Sequence, residues 1–208
     1  EVFAAAHAKA TAAIKEAAGV PVGLTLAMSD DQAVPGGEAA LAAHRADWED
    51  PYLEAARGDD FIGVQTYTRH RFGPEGLLAP EPGVPLTMMG YEAWPQALGA
   101  TIRRAASATG APVLVTENGI ATDDDTQRVA FVGQALLAVL DCLDEGLDVR
   151  GYTYWSLLDN FEWAHGYRPT FGLVAVDRTT QARTPNPSAT WLGQVAQANA
   201  LVSRPADA

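Results

Sequence analysis

The chain has 208 residues, of which 48 % are hydrophobic, so it can bury a sizeable core as one large domain or two small ones. The formal net charge is −12 and the densest basic cluster is only Arg69, His70 and Arg71, which argues against binding to nucleic acids or anionic membranes. The single cysteine, Cys142, excludes an internal disulfide; it fits a reducing compartment, and we expect a cytoplasmic protein.

Predicted helices and strands alternate along the chain. The alanine-rich segment Val2–Ala18 has no glycine or proline, and Gly19 follows it as a helix C-cap would. Short apolar runs that end in polar residues predict buried strands at residues 20–28, 59–67, 111–116 and 149–158. Helices are predicted after these strands, at residues 38–57, 92–109, 126–145 and 189–201.

One long region interrupts this pattern. Residues 68–90 contain Pro74, Pro80, Pro82 and Pro85 together with several glycines, which predicts a loop without regular structure. Loops of this length in compact domains are often functional. At the other end of the chain, residues 203–208 are predicted to form a frayed tail.

The alternation of apolar strands with helices predicts an α/β fold with a parallel sheet and the helices outside it. Polar residues follow each strand, as they do at the catalytic end of a (β/α)8 barrel. Such a barrel needs eight strands and only four are predicted, so residues 1–208 are expected to form half a barrel, with a helix before the first strand. The sequence starts at Glu1, inside a predicted helix, which indicates a processed, split or truncated chain.

Several kinds of site find no support in the sequence. The histidines are scattered without the spacing of zinc ligands, and Ser29 and Ser156 lack the Gly-x-Ser-x-Gly elbow of a serine hydrolase. No Gly-x-Gly-x-x-Gly turn follows the first strand, which argues against a dinucleotide fold. No apolar run approaches ~20 residues, and no secretory signal opens the chain. We therefore expect no transmembrane helix, no metal and no cofactor.

The segment V-L-V-T-E-N-G, residues 113–119, ends a buried strand in a carboxylate. At the carboxyl end of a barrel strand, Glu117 would have the setting of a glycosidase nucleophile, which attacks the anomeric carbon while a second carboxylate protonates the leaving oxygen. A helix-capping or salt-bridged glutamate in a loop would fit the same pattern.

Two further groups of residues point to the same end of the sheet. Alternation places Gln65 and Tyr67 on one face of their strand, where a tyrosine hydroxyl could orient a carboxylate and favour its ionised form; a tyrosine merely packed at a strand end is the alternative. Residues 152–167 combine many aromatic rings with Asp159, Asn160 and Glu162. This composition favours a carbohydrate site over a core strand with a hydrophobic lid.

Five motifs together resemble glycoside hydrolase family 1, the β-glucosidase family, over nearly the whole chain. The most specific are T-E-N-G at residues 116–119 and W-S-L-L-D-N-F-E-W at residues 155–163. The supporting motifs are D-F-I-G-V-Q-T-Y-T at residues 60–68, F-G-L-V-A-V-D at residues 171–177 and R-T-P at residues 183–185.

The resemblance implies the C-terminal half of a (β/α)8 barrel and a retaining mechanism. It implies that Glu117 is the nucleophile, that Tyr67 hydrogen-bonds it, and that Trp155 forms the floor of the subsite for the glycone, the sugar that is transferred. It also implies that Glu162 and Trp163 hold the outer hydroxyls of that sugar. Because Glu162 stands where the family's 6-phospho-glycosidases usually carry serine, an unphosphorylated glucosyl-type sugar is expected. Further substrate-binding residues are predicted at Gln65, Asn118 and Phe171.

The chain departs from the family pattern in two ways. Four positions differ: Gln65 for asparagine, Thr66 for tyrosine, Thr170 for arginine and Asn186 for lysine. The larger departure is that the Gln-x-Glu-Gly, His-Trp and Asn-Glu-Pro segments of the family's N-terminal half do not occur here, and the glutamate of Asn-Glu-Pro is the acid/base.

Two hypotheses follow from this departure. In the first, the chain is the C-terminal half of a β-glycosidase, inactive or nearly so alone, and an N-terminal half from a second chain or a cleaved parent supplies the acid/base. In the second, two copies of the half-barrel pair as a homodimer that closes an eight-stranded barrel, and this dimer binds carbohydrate or serves as a scaffold without catalysis.

Overall fold

A computed structural model describes residues 2–201 of the chain, and the predicted frayed tail at residues 203–208 lies outside this range. The helices are α1 (Val2–Ala18), α2 (Glu38–Trp48), α3 (Asp50–Ala55), α4 (Ala97–Thr109), α5 (Asp125–Asp144) and α6 (Pro187–Ala198), with a 3₁₀ turn at Trp163–His165. The strands are β1 (Gly23–Ala33), β2 (Phe61–Gly73), β3 (Gly76–Leu77), β4 (Val113–Asn118), β5 (Val149–Tyr154), β6 (Val174–Val176) and β7 (Arg183–Pro185).

The main sheet confirms the predicted α/β architecture. Its long strands are parallel in the order β1-β2-β4-β5, β3 pairs antiparallel with β2, and β6 and β7 form a separate hairpin. Every long strand therefore lies beside the next one along the chain, with helices between them, which is the arrangement of a (β/α)8 barrel. Within residues 2–201, β1 and β5 are the outer strands of the sheet.

The core lies between this sheet and the helices that follow its strands. Ile62 and Val64 of β2 are completely buried in one cluster with Leu98 and Ile102 of α4. Strand alternation turns the intervening Gly63 to the opposite face. A Cβ atom there would lie only 2.6 Å from Cγ2 of Thr25, so the absence of a side chain lets the strands pack on that face.

The structure corrects the predicted ends of two strands. Both β1 and β2 continue into segments predicted as loops, β1 to Ala33 and β2 to Gly73. Their parallel pairing resumes at Asp30 opposite Arg69 and runs to Ala33 opposite Phe72. Complementary charged and polar side chains occupy this added part of the β1–β2 pairing. A prediction based on apolar runs therefore does not detect it.

The predicted boundaries of α4 and β5 were also wrong. The helix begins at Ala97 instead of residue 92, because the carboxylate of Glu92 is held by Arg69 and Pro95 lacks a backbone N–H. The strand ends at Tyr154 instead of residue 158, because the following segment pairs with the β6 region, where the Val174 amide donates to the Leu157 carbonyl at 2.9 Å. The short β6–β7 hairpin was not predicted.

Helix α5 meets the length and composition criteria of a membrane-crossing helix, contrary to the sequence-based expectation. One such helix is weak evidence for a membrane span, because helices that pack on a protein core pass the same test. Phe131, Val132, Ala135 and Val139 of α5 are buried in the two hydrophobic clusters of the fold, which accounts for its apolar composition.

We expect the Leu98→Ala substitution to lower the free energy of unfolding by about 2–5 kcal/mol, because it opens a cavity at a fully buried position. The matched control is Leu77→Ala, where the leucine is 61 % exposed and the expected change is within about 0.5 kcal/mol. Urea denaturation of the three chains measures both effects, and equal losses in the two variants would contradict this description of the core.

Candidate active site

An extra residue in β4 determines which way Glu117 points. Val64 of β2 lies opposite Val115 of β4, but the next residue, Gln65, lies opposite Glu117 instead of Thr116. The pairing of β4 with β5 has an irregularity in the same stretch. Because successive strand residues face opposite sides of a sheet, one inserted residue reverses the facing of those that follow. The bulge at Thr116 thus turns Glu117 to the face that carries Gln65.

Two side chains of β2 hold the Glu117 carboxylate, one on each oxygen. The Gln65 side-chain amide donates to Oε1 at 2.9 Å, and the Tyr67 hydroxyl donates to Oε2 at 2.5 Å. Both donors lie on one strand face, as the alternation predicted. This arrangement fixes the plane and the direction of the carboxylate. Gln65, predicted to bind substrate, here contacts the carboxylate.

The surroundings of Tyr67 keep its hydroxyl protonated. Burial raises its pKa far above the ordinary value, and the hydrogen bond to Glu117 raises it further. The ring of Phe171 packs edge-on against the Tyr67 ring, with 6.0 Å between the ring centroids. A neutral phenol can donate to the carboxylate, whereas a phenolate would repel it.

Asn118, the neighbour of Glu117, joins three strands. It is 1 % exposed; its side-chain amide donates to the Thr66 carbonyl at 2.7 Å and its side-chain oxygen accepts from the Tyr152 hydroxyl at 2.8 Å. The predicted substrate contact by Asn118 finds no support in this geometry, because both ends of the side chain are engaged within the sheet. Phe171 is likewise 4 % exposed and packs on Tyr67, so its predicted substrate contact finds no support either.

The absence of a side chain at Gly119 lets the backbone of Trp155 lie close to the end of β4. A Cβ atom there would lie 2.1 Å from the backbone oxygen of Trp155. The Trp155 amide in turn donates to the Asn118 carbonyl at 2.9 Å. These contacts bring the end of β5, and with it the Trp155 side chain, directly beside the end of β4. The Trp155–Ser156 peptide bond is cis.

The loop after β5 brings a second carboxylate to this end of the sheet. Glu162 is 8 % exposed, and its Oε1 accepts from the Trp155 indole at 3.1 Å and from the Asn160 side-chain amide at 2.7 Å. Trp155 and Glu162, both predicted to bind the sugar, are thereby joined by a hydrogen bond. Trp163 is not packed with them, because it is 85 % exposed in the 3₁₀ turn. Its predicted contact with the sugar therefore finds no support in this geometry.

The structure also shows roles for Asp159 and Asn160 that were not predicted. Asn160 positions Glu162, and the Asp159 carboxylate anchors the loop by accepting from the backbone amides of Gly172 at 2.9 Å and Val176 at 3.3 Å. Both residues lie within the aromatic segment seen in the sequence, but their roles depend on partners in the β6–β7 region. Across residues 2–201, no group of three or more His, Cys, Asp or Glu side chains is placed to hold a metal ion.

Comparison with known proteins identifies the family. The model of "Glycosyl hydrolase family 1" matches residues 55–201. The chain belongs to this family. Beta-glucosidase A of Thermotoga maritima is 35 % identical over 173 residues, which cover 74 % of this chain and 38 % of that protein. The bifunctional beta-D-glucosidase/beta-D-fucosidase of Bifidobacterium breve is 41 % identical over 121 residues, 51 % of this chain and 26 % of that protein.

Solved structures of the family superpose on the whole described fold. The beta-glycosidase BGL167 is 54 % identical with a TM-score of 0.92, and the match covers 100 % of this chain and 50 % of that one. The family 1 b-glucosidase from Thermotoga maritima has a TM-score of 0.83 at 26 % identity, covering 95 % of this chain and 55 % of that one. The chain thus spans about half the length of these solved glycosidases and 38 % of the first curated relative, which agrees with the fold of a half-barrel.

We expect the Tyr67→Phe variant to develop the same phenolate absorbance as the parent chain between about pH 9 and pH 11, because an ordinary tyrosine ionises near pH 10 whereas Tyr67 keeps its proton there. Alkaline spectrophotometric titration measures this. The buried Tyr152 and Tyr154, whose pKa values burial also raises, contribute equally to both curves.

The control is Glu117→Gln, which removes the negative charge facing the phenol and should lower the pKa of Tyr67. Loss of one tyrosine's absorbance from that pH window in Tyr67→Phe would show that Tyr67 is neither buried nor bonded as described.

Proposed function

We propose that this chain is the nucleophile-bearing half of a retaining β-glycosidase that hydrolyses terminal, unphosphorylated β-D-glucosyl-type residues. The observation that carries this proposal is the Glu117 carboxylate, held by Gln65 and Tyr67 at the carboxyl end of the sheet beside Trp155 and Glu162. Membership of a family that includes β-glucosidases and β-galactosidases supports it.

In the proposed reaction, Glu117 attacks the anomeric carbon and forms a covalent glycosyl-enzyme intermediate, and the departing oxygen takes a proton from an acid. Water, deprotonated by the same group, then displaces Glu117 and releases the sugar. Gln65 and Tyr67 orient the carboxylate for both steps. The Glu162 carboxylate accepts hydrogen bonds from sugar hydroxyls, and the Trp155 ring packs on the C–H face of the sugar.

We infer that the acid comes from outside the described chain. In a retaining enzyme, the acid lies only about 5–5.5 Å from the nucleophile. Glu162 is fixed by Trp155 and Asn160 and is assigned here to sugar binding, so we do not assign it as the acid. We therefore propose that an N-terminal half-barrel with an Asn-Glu-Pro segment completes the enzyme as a second chain or as the rest of a longer parent. Two copies of this chain would pair two nucleophiles without an acid, so a homodimer is the weaker candidate.

We expect the chain to hydrolyse aryl β-glucosides when it is mixed with the half of the relative BGL167 that it does not match, produced as a separate polypeptide. The chain alone should be slower by about 10²–10⁴-fold, the usual contribution of general acid catalysis. Glu117→Ala should abolish the activity of the mixture, whereas the matched carboxylate change Glu75→Ala, at an exposed position after β2, should leave it intact. A fluorinated glucoside that traps the intermediate should lose its leaving group and add the mass of the fluoroglycosyl group to the peptide containing Glu117.

Native mass spectrometry distinguishes the two assemblies. A complex of one chain with one N-terminal half supports the proposal. Two identical chains that bind sugar, with no turnover after mixing, would support the homodimeric module instead. Turnover that survives Glu117→Ala would refute the assigned nucleophile.

A further inference from the structure

A buried guanidinium lies behind the segment that carries Phe171. The Arg128 side chain of α5 is 3 % exposed. One terminal nitrogen donates to the Asp125 carboxylate at 2.5 Å, and the other donates to the backbone carbonyls of Thr122 at 2.7 Å and Thr170 at 3.2 Å. The guanidinium therefore joins the loop after β4 to the residue that precedes Phe171.

The Asp125 carboxylate gives this guanidinium a fixed position. It accepts from the backbone amide of Ser188 at 2.8 Å and from the Ser188 hydroxyl at 2.6 Å, at the start of α6. Ser188 is buried. Because hydrogen bonds between charged partners are short and directional, Arg128 is held through Asp125 against both α5 and α6 while it binds the two carbonyls.

The next carbonyl along the chain, that of Phe171, has a donor on a different element. The Tyr154 hydroxyl at the end of β5 donates to it at 2.9 Å. Burial raises the pKa of Tyr154 to about 12, against the opposing effect of the nearby Arg128 charge, so this hydroxyl keeps its proton at neutral pH. Side chains of α5 and β5 thus hold two successive carbonyls, those of Thr170 and Phe171.

The contacts on these two carbonyls fix the direction of the Phe171 side chain. A peptide group is planar, and the two carbonyls belong to the peptide groups on either side of the Phe171 Cα. The ring is thereby held edge-on against Tyr67, with 6.0 Å between the ring centroids. Burial is the main cause of the raised pKa of Tyr67, and the hydrogen bond to Glu117 and the charges of Glu117 and Glu162 add to it. The Phe171 ring therefore forms one side of the dry setting in which Tyr67 donates to Glu117.

Resting on the proposed function, we propose that Arg128 is a positioning residue that sets the Phe171 ring against Tyr67 and thereby steadies the Tyr67 hydroxyl on the Glu117 carboxylate. Its effect passes from the Thr170 carbonyl to the Phe171 ring and from that ring to the phenol. A phenol that can swing away holds the carboxylate in the attacking orientation for a smaller fraction of the time.

The first test uses the chain alone and measures the access of a reagent to Tyr67. Tetranitromethane nitrates accessible tyrosines, and peptide mass spectrometry reports each tyrosine separately. In Arg128→Met, nitration of Tyr67 should be about ten- to hundredfold faster than in the parent chain, the range that corresponds to one lost hydrogen bond to a charged group. Tyr167, which is 57 % exposed, should react at the parent rate and serves as the internal reference.

Two control variants separate positioning from a general loss of stability. Leu98→Ala weakens the buried core, and Arg103→Met removes an arginine that pairs with the half-exposed Glu145 carboxylate. Both folded variants should show the parent rate of Tyr67 nitration. Tyr154→Phe removes only the hydroxyl that binds the Phe171 carbonyl. It should speed nitration of Tyr67 by about two- to tenfold, the range of one neutral hydrogen bond, and it decides the proposal if Arg128→Met folds poorly.

The second test uses the chain completed by the N-terminal half, with an aryl β-glucoside as substrate. Arg128→Met should lower kcat by about ten- to hundredfold, because a misplacement of about 1 Å costs about a hundredfold, and it should leave KM at the parent value. In the Tyr67→Phe background the same substitution should have little further effect, because the hydroxyl through which it acts is gone. A merely structural role for Arg128 would lower activity equally in both backgrounds.

An unchanged rate of Tyr67 nitration in Arg128→Met, or equal losses of kcat in the two backgrounds, would overturn the proposal. If nitration rises as expected but the completed barrel does not hydrolyse glucosides, the proposed function fails and the placement of Tyr67 by Arg128 stands. If the two halves do not associate, the nitration comparison in the chain alone decides whether Arg128 positions Tyr67.

Discussion

The one-residue bulge in β4 is the constraint on which the site depends. Without the extra residue, Thr116 would lie opposite Gln65, and Glu117 would face the helices with Thr66, which is fully buried. An unpaired carboxylate in that layer would be strongly destabilising. The Thr116 hydroxyl donates to the Val64 carbonyl at 3.2 Å, which ties the irregular position of β4 back to β2. Sheet register and the placement of Glu117 are thus one property of the chain.

The two sides of the Glu117 carboxylate are built differently. Gln65 and Tyr67 belong to a central strand whose outer face is packed on α4, so their positions are fixed by the core. Trp155 and Glu162 lie on a loop that is held by local hydrogen bonds: Asp159 binds the hairpin amides, and Asn160 binds Glu162. A rigid strand side suits the bond-forming role proposed for Glu117, whereas a loop side could adapt to the proposed sugar.

Regular periodicity is what made much of this site predictable from the sequence. Gln65 and Tyr67 were placed together by strand alternation, and Glu117 by its position at the end of an apolar run. The bulge at Thr116 was not foreseen, because the apolar run V-L-V at the start of this short strand shows no alternation that an inserted residue would interrupt. The ion pairs of Arg69 were missed for a different reason: its two carboxylate partners, Glu81 and Glu92, lie on a loop with no periodic pattern. Likewise Asn118 was read as a ligand contact because its partners in β2 and β5 are visible only once the strands are paired.

The sheet's strand order has a consequence for how the chain can be divided. Because each long strand pairs with the strand before it and the strand after it in the sequence, no strand must be inserted between two that are already paired. A growing chain can therefore add one strand and helix at a time to an existing edge, with short loops to close at each step. A break between two such units leaves the strand pairing within each piece intact. It interrupts the pairing only at the two sheet edges where the pieces meet. Division of this fold is thus topologically simple. Whether the pieces function together depends on how well the strands at those two edges pair again.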